Sequence, residues 1–356
     1  MRLEKRDYRL VGADTRRAEE QGMASAEWYK CPVPRKQMKE FMRRKDGPAI
    51  RDTAIWLGLM VITALLGIHF WGTWWAVPCF AVYGILYGSA SDSRWHECGH
   101  GTAFKTPWMN KVIYEISSFM ILRESTVWRW SHARHHTDTI IVGRDPEIAV
   151  KRPPDILGIV LNLFSIKTTW TALKLLALHS VGRLTEDEAT FIPASEQHKV
   201  FLIARIYLSI FVVTFLLCCV MHSWLPAMLI GLPTLYGGCL NLIYGITQHA
   251  GLSEDVLDHR MNSRTIYMNP IARFIYSNMN YHIEHHMFPM VPYHALPALH
   301  EVIKQDCPPP YPSIIAAYRE IIPVLLKQRQ DPDYYLKRDL PCKTVPAPYD
   351  ATTQPA

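Results

Sequence analysis

No two of the eight cysteines stand at Cys-x-x-Cys spacing, which excludes the local clips of iron–sulfur and zinc-ribbon proteins. No Gly-x-Gly-x-x-Gly loop is present, so the chain offers a dinucleotide no glycine-rich cradle. The opening stretch MRLEKRDYRLVGADTRRAEE alternates charge too densely to hold the apolar core of a secretory leader, and the N-terminus is expected in the cytoplasm. Charge is scarce overall: 20% of residues are charged against 49% apolar, with eleven Trp. A net charge of +6 would suit nucleic acid. Lys and Arg gather beside the apolar runs, however, so a membrane surface is the expected partner and nucleic acid is not. Cys31, Cys79, Cys98, Cys218, Cys219, Cys239, Cys307 and Cys342 read as structural thiols in a reducing compartment.

The apolar residues form four blocks, at 54–70, 74–90, 200–221 and 224–245. Each is about long enough for a hydrocarbon core of roughly 30 Å. Trp71-Gly72-Thr73 joins the first two and His222-Ser223 the last two; connectors this short impose antiparallel hairpins. Neither contains Lys or Arg, whereas Arg43, Arg44, Lys45, Arg51, Lys151, Arg152 and the stretch Lys327 to Arg338 lie in the other segments. Those segments are therefore expected on the cytoplasmic side. The apolar stretch Ile156 to Leu178 is broken by Asn162, Lys167 and Lys174, and it reads as a helix lying in the interface. The expected architecture is an all-α integral membrane protein of four transmembrane helices in two hairpins, with a cytoplasmic helical cap. Residues 1–53 form a cytoplasmic N-terminal segment, 54–301 the membrane domain and 302–356 a cytoplasmic tail, mobile from Asp331 onward.

Sixteen histidines are present, and eight fall in three clusters: His96 and His100; His132, His135 and His136; His282, His285 and His286. On a helix, positions i, i+3 and i+4 share a face, so each cluster aims its imidazoles at one point. The first cluster follows the second apolar block closely, and all three lie in segments assigned to one side. His249 stands just beyond the fourth block at the same level. Nine imidazoles are too many for one ion and suit two. A zinc protease is a rival reading, because His96-Glu97-Cys98-Gly99-His100 also satisfies H-E-x-x-H, but it leaves the later clusters without a purpose. A metal transporter would need ionisable groups along its spans, and these spans have almost none. His69, His179, His198, His222 and His259 read as structural. His294 and His300 are candidates to support the ligating rings from behind. Ligating imidazoles donate their second N–H to a carboxylate or carbonyl; Asp92 and Asp145 are the foremost candidates, and Asp138, Glu147, Asp255, Asp258 and Glu284 are also available. Trp75, Trp95, Trp128 and Trp130 could wall a lipid chain.

The order HxxxH, HxxHH, HxxHH, set against four apolar blocks over Ala54 to Glu301, resembles the membrane fatty acid desaturase superfamily. The stretch Asn280-Tyr-His282-Ile-Glu-His285-His286-Met-Phe288-Pro289 is similar to the third box of acyl-lipid desaturases. Trp128-Arg-Trp-Ser-His132-Ala-Arg-His135-His136 and Gln248-His249-Ala-Gly-Leu resemble a bacterial hydrocarbon-oxygenase branch that includes a rhizopine oxygenase and relatives of terminal-alkene decarboxylases. The resemblance implies two iron ions (Fe2+) held by His96, His100, His132, His135, His136, His249, His282, His285 and His286. It implies O2 as cosubstrate, no bound haem or nucleotide, and attack on an unactivated C–H bond of a membrane lipid or other hydrocarbon-bearing substrate. Desaturation or hydroxylation of an acyl chain is the leading expectation. Decarboxylation of a fatty acid to a terminal alkene, or O-demethylation of a rhizopine-like substrate, remains open. The expected place is the bacterial cytoplasmic membrane, with the active site on the cytoplasmic side. The chain has no second redox centre, so a separate ferredoxin-type donor with its reductase is expected, docking near Lys151, Arg152, Lys327, Arg329 and Lys337.

Overall fold

The computed structural model describes residues 6–341; Cys342 and the rest of the tail lie outside the described residues. Within them the chain is all helical. Thr265 with Tyr281, and Ile266 with Tyr311, form isolated bridges, and no strand occurs among the described residues.

The first apolar block lies in the helix Asp46–His69, which starts eight residues before the apolar run because Asp46 anchors its first turn. That carboxylate accepts hydrogen bonds from the backbone N–H and hydroxyl of Thr106 at 2.9 and 2.8 Å. The returning arm runs as Ala76–Gly84, a π segment Ile85–Ser89 and Ala90–Gly99. Gly67 lies against Phe80 near the connector, and Trp56 Nε1 donates to Leu86 O at 2.8 Å further in, so the two arms are antiparallel. The π segment is where that indole docks on a main-chain carbonyl. Such one-turn bulges tend to sit beside functional sites, and this one leads directly into the first histidine pair.

The third block is the helix Gln197–Val220. The fourth, expected as one span over 224–245, is instead three pieces: Leu225–Leu229, Leu232–Tyr236 and Cys239–His249. Pro226 and Pro233 each sit in the first turn of a piece, where a missing N–H and fixed φ are tolerated but cannot continue a preceding helix. Gly231, at φ 96°, makes the turn between the first two pieces, and only glycine adopts that conformation without strain. Two stretches, Arg35–His69 and Ala194–Val220, are long and apolar enough to cross a membrane.

The segment expected as one interfacial helix is a bent pair. Ile156–Phe164 and Ile166–Ser180 meet at 81°, with Ser165 at φ 50° in the left-handed region. At fifteen residues the longer limb falls short of the roughly 20 residues that a crossing needs.

The two arms nearest the histidines touch backbone to backbone. A methyl group on Gly237 would stand 1.8 Å from Gly84 O, and one on Gly88 2.8 Å from Gly237 C; Ser89 Oγ then donates to Gly237 O at 2.5 Å. Small residues four apart allow this approach between apolar helices.

The expectation of a mobile tail fails for residues 331–341. Leu336 N donates to Gly251 O at 2.8 Å and Arg338 Nη1 to Tyr311 Oη at 2.7 Å, which ties this segment to the histidine-bearing half of the molecule.

Candidate metal centre

The four helices that bear the clusters end at one place. Ala90–Gly99 carries His96, with His100 capping its C-terminus, and Ser125–Thr137 carries the second cluster. His249 is the last residue of Cys239–His249, and His282–Met287 carries the third cluster. Helical spacing then divides each HxxHH in two. The ring nitrogens of His96, His100, His132, His136 and His285 all lie within 4.8 Å of one another, as do those of His135, His249 and His286. His282 joins the second set, its Nε2 being 2.9 Å from His249 Nε2 and 3.0 Å from His286 Nε2.

Around the first set, Nε2 atoms face each other at 2.9 Å between His96 and His285, 2.9 Å between His132 and His96, and 3.1 Å between His100 and His132. Hydrogen bonds account for only part of this. A neutral imidazole has one N–H, and several of these rings spend it at Nδ1. His132 Nδ1 is 2.9 Å from Glu147 Oε2 and His135 Nδ1 is 2.8 Å from Asp145 Oδ2. His249 Nδ1 donates to Asn262 O at 2.7 Å, and His286 Nδ1 pairs with the Thr139 hydroxyl at 3.2 Å. The Nε2 lone pairs of His132, His249 and His286 therefore face other ring nitrogens across about a hydrogen-bond length, an arrangement that a cation between them would relieve. The residues fit an imidazole-binding metal, one in each set.

Electrostatics agree with that fit. Burial, and then neighbouring imidazoles, push His96, His100, His136, His282, His285 and His286 well below the ordinary histidine pKa; burial and His135 do the same for His249. All seven stay neutral, as a metal ligand must. Burial opposes charge on His135 too, yet Asp145 and Glu147 outweigh it and its pKa rises. Glu147 is held down to about 2, burial being overcome by His132, His135 and the Ser131 hydroxyl.

Of the carboxylates singled out from sequence, Asp145 stands at the centre. Besides His135 it accepts from Ile140 N and Glu147 N, each at 2.7 Å. Asp92 touches no imidazole and pairs with Arg123 Nη1 at 2.7 Å. Asp138 pairs with Arg144, Asp258 with Arg260, and Asp255 accepts from Val142 N. Glu284 accepts from the Thr265 hydroxyl at 2.6 Å and binds His300 Nδ1, whose Nε2 meets Tyr267 Oη at 3.1 Å. His300 thus braces the third box through Glu284. His294 makes no such link; its Nε2 is buried without a partner. His179 is sealed between Glu124 at 2.6 Å and Glu188 at 3.0 Å, away from the centre. His259 is buried against it, 5.1 Å from the His286 ring and stacked on Trp28 at 4.3 Å.

Glu147 stands closer to the rings than its place in the sequence suggests, and Thr139 and the Asn262 carbonyl also meet them. Their signal was faint. Asp145-Pro146-Glu147 follows the second box at a loop's distance, and a carbonyl has no sequence signature at all. Trp95 walls the first set, 5.7 Å from the His132 ring and edge-on to Trp128 at 5.3 Å, with Arg123 over both indoles. Trp75 stands exposed in the first hairpin's connection. Arg152, expected on a docking surface, is buried against Glu254 and the carbonyl of Leu252.

Glu97, which the protease reading would need as a base, accepts from the Thr102 hydroxyl at 2.7 Å and from Tyr293 N at 2.9 Å.

Residues 72–318 match the fatty acid desaturase family, a span that includes all nine imidazoles. The chain is also 33% identical over 75 residues to the omega-6 fatty acid desaturase, endoplasmic reticulum isozyme 1, of Glycine max. That similarity covers 20% of this chain and 19% of the soybean protein.

Proposed function

Because the chain belongs to the fatty acid desaturase family, we propose that it is a membrane-bound oxidoreductase that uses O2 to desaturate or hydroxylate an acyl chain. Two irons are the proposed metals. His96, His100, His132, His136 and His285 would hold one, and His135, His249, His282 and His286 the other. The observation that carries this reading is the gathering of nine imidazoles in two sets, with His132, His135 and His249 held from behind by Glu147, Asp145 and Asn262 O. Zinc also accepts imidazole, but it has no redox chemistry. Bound iron would supply the oxidising power, drawn from O2 and external electrons, to remove hydrogen from an unactivated carbon.

The chain's own residues orient and seal. Asp145 and Glu147 fix the ring planes and tautomers of His135 and His132, so each Nε2 keeps its lone pair toward the centre. Trp95 and Trp128 close an apolar wall beside His132, which keeps water from a reactive site. Lys151, Lys327, Arg329 and Lys337 are exposed and are the proposed contact for an acidic ferredoxin-type donor. The similarity of the second box and of the His249 segment to bacterial hydrocarbon oxygenases keeps decarboxylation and O-demethylation among the products to be sought. The chain reconstituted with ferredoxin, its reductase and NADPH should carry close to two irons and turn a labelled acyl lipid into an alkene or alcohol read by mass spectrometry. One tightly bound zinc and no lipid product would overturn the reading.

A further inference from the structure

The helix Ala90–Gly99 has a second polar face that the imidazole sets do not use. Arg94 and Glu97 line a cavity of about 230 Å3 there, between the start of the helix Asp46–His69 and the loop that follows Pro270–Ile275. Arg94 is 6% exposed, and no carboxylate among the described residues pairs with it. Its guanidinium bonds only main-chain carbonyls: Ala90 O at 2.8 Å, Phe274 O at 3.3 Å and Ile275 O at 3.4 Å. A guanidinium has five N–H donors, so at least two remain. Arg273, which also lines the cavity, gives Nε to Asn278 Oδ1 at 2.8 Å and likewise has no carboxylate partner among the described residues. Arg51 differs, being neutralised by Asp52 at 2.8 Å.

Glu97 supplies the complementary need. It is 2% exposed. Oε1 is satisfied by Thr102 and Tyr293, while Oε2 is buried without a partner. Arg94 lies over the rings of Trp56 and Phe274 at 5.0 and 4.8 Å but has no anion beside it, and an orphaned carboxylate oxygen is costly. One ligand relieves both if it carries an anionic acceptor for the two arginines and a hydroxyl donor for Glu97. Phe104, Ile113 and Phe274 also line the space, so the ligand continues into something apolar. Arg51, Asp52 and Thr53 also line the cavity, at the boundary between the charged stretch and the apolar block from Ala54, where lipid head groups are expected.

We propose that this cavity is a head-group site for an acyl lipid bearing a phosphate and a free hydroxyl, of the glycerophosphate type. The assignment rests on the acyl-lipid reading above and names the substrate class it would take, and its test reads binding instead of turnover. The detergent-purified full chain is titrated with lysophosphatidylglycerol, with the uncharged monoacylglycerol of the same chain length, and with glycerol 3-phosphate. One lysophosphatidylglycerol should bind per chain, at least about tenfold tighter than either of the other probes. Arg273→Gln, at a half-buried position, should weaken it about tenfold with iron content unchanged, and Arg94→Gln should do the same if it folds. Equal affinity for the charged and uncharged lipids, or no effect of Arg273→Gln, would overturn the site. Glycerol 3-phosphate binding as tightly as the lysolipid would overturn its assignment to lipid and give it to a soluble phosphate ester. A chain that forms product without discriminating these probes refutes the head-group site and leaves the catalytic reading standing; one that discriminates them and forms no product does the reverse.

Discussion

A single carboxylate has three tasks at this centre. Asp145 takes the Nδ1 proton side of His135, and it also ties the loop after the second box by accepting from Ile140 N and Glu147 N. Asp145→Asn keeps the shape but removes the charge that stabilises the ligating ring, and it disturbs a hydrogen-bond set in which both carboxylate oxygens accept. Iron affinity should fall roughly 10–100-fold, measured as iron per chain after equilibration with graded chelator. Asp92→Asn is the control, because Asp92 serves Arg123 and touches no imidazole; its iron content should match that of the parent. If Asp92→Asn lost as much iron as Asp145→Asn, general destabilisation, and not support of a ligand, would explain both.

Among the elements, the crossing of the second and fourth arms sets the geometry of the whole centre. Gly84, Gly88 and Gly237 let two backbones meet where no side chain fits, and the arms carry His96, His100 and His249 just beyond. Gly237→Val would drive a branched side chain into the Gly84 carbonyl. Overpacking of a close-packed contact costs about 1–3 kcal/mol, and here backbone, which cannot rotate away, is what must move. The variant should melt several degrees lower in detergent and lose iron, whereas Gly47→Ala, with nothing within 4 Å of the added methyl, should do neither. A Gly237→Val protein with unchanged melting temperature and two irons would show that the crossing does not hold the arms in place.

The topology of the whole molecule requires that everything bearing a ligand share one side of the membrane. The bent pair Ile156–Phe164 and Ile166–Ser180 is a segment that could divide it. Cysteines introduced at exposed Lys151 and Lys199, on either flank of that pair, should both resist an impermeant thiol reagent applied to intact cells. Cysteines at exposed Thr73 and His222, in the connectors, should both react. Reaction at only one of Lys151→Cys and Lys199→Cys would mean that the pair crosses and that the ligands on its two flanks do not share one side. The same scale explains the fixed C-terminal stretch: Leu336 and Arg338 are held by Gly251 and Tyr311, next to the loop that supplies Asn262 O to His249.

What the sequence determined by itself is what local periodicity and composition carry. Histidines at i, i+3 and i+4 must share a helical face, so three clusters and a metal-binding chemistry were legible before any fold was known. So were the long apolar helices, because a run of Ile, Leu, Val and Phe between charged flanks allows little else. Pro226, Gly231 and Pro233 were also in plain view, and a reading by hydropathy alone passed over the helix breaks they impose. Only the tertiary structure decided how five imidazoles separate from four, because that depends on the angles at which four helices meet. Only it decided that Glu147 and a main-chain carbonyl, and not Asp92, stand behind the rings. Those partners arrive on loops that fold over the helix ends, where the distance in space bears no relation to the distance along the chain.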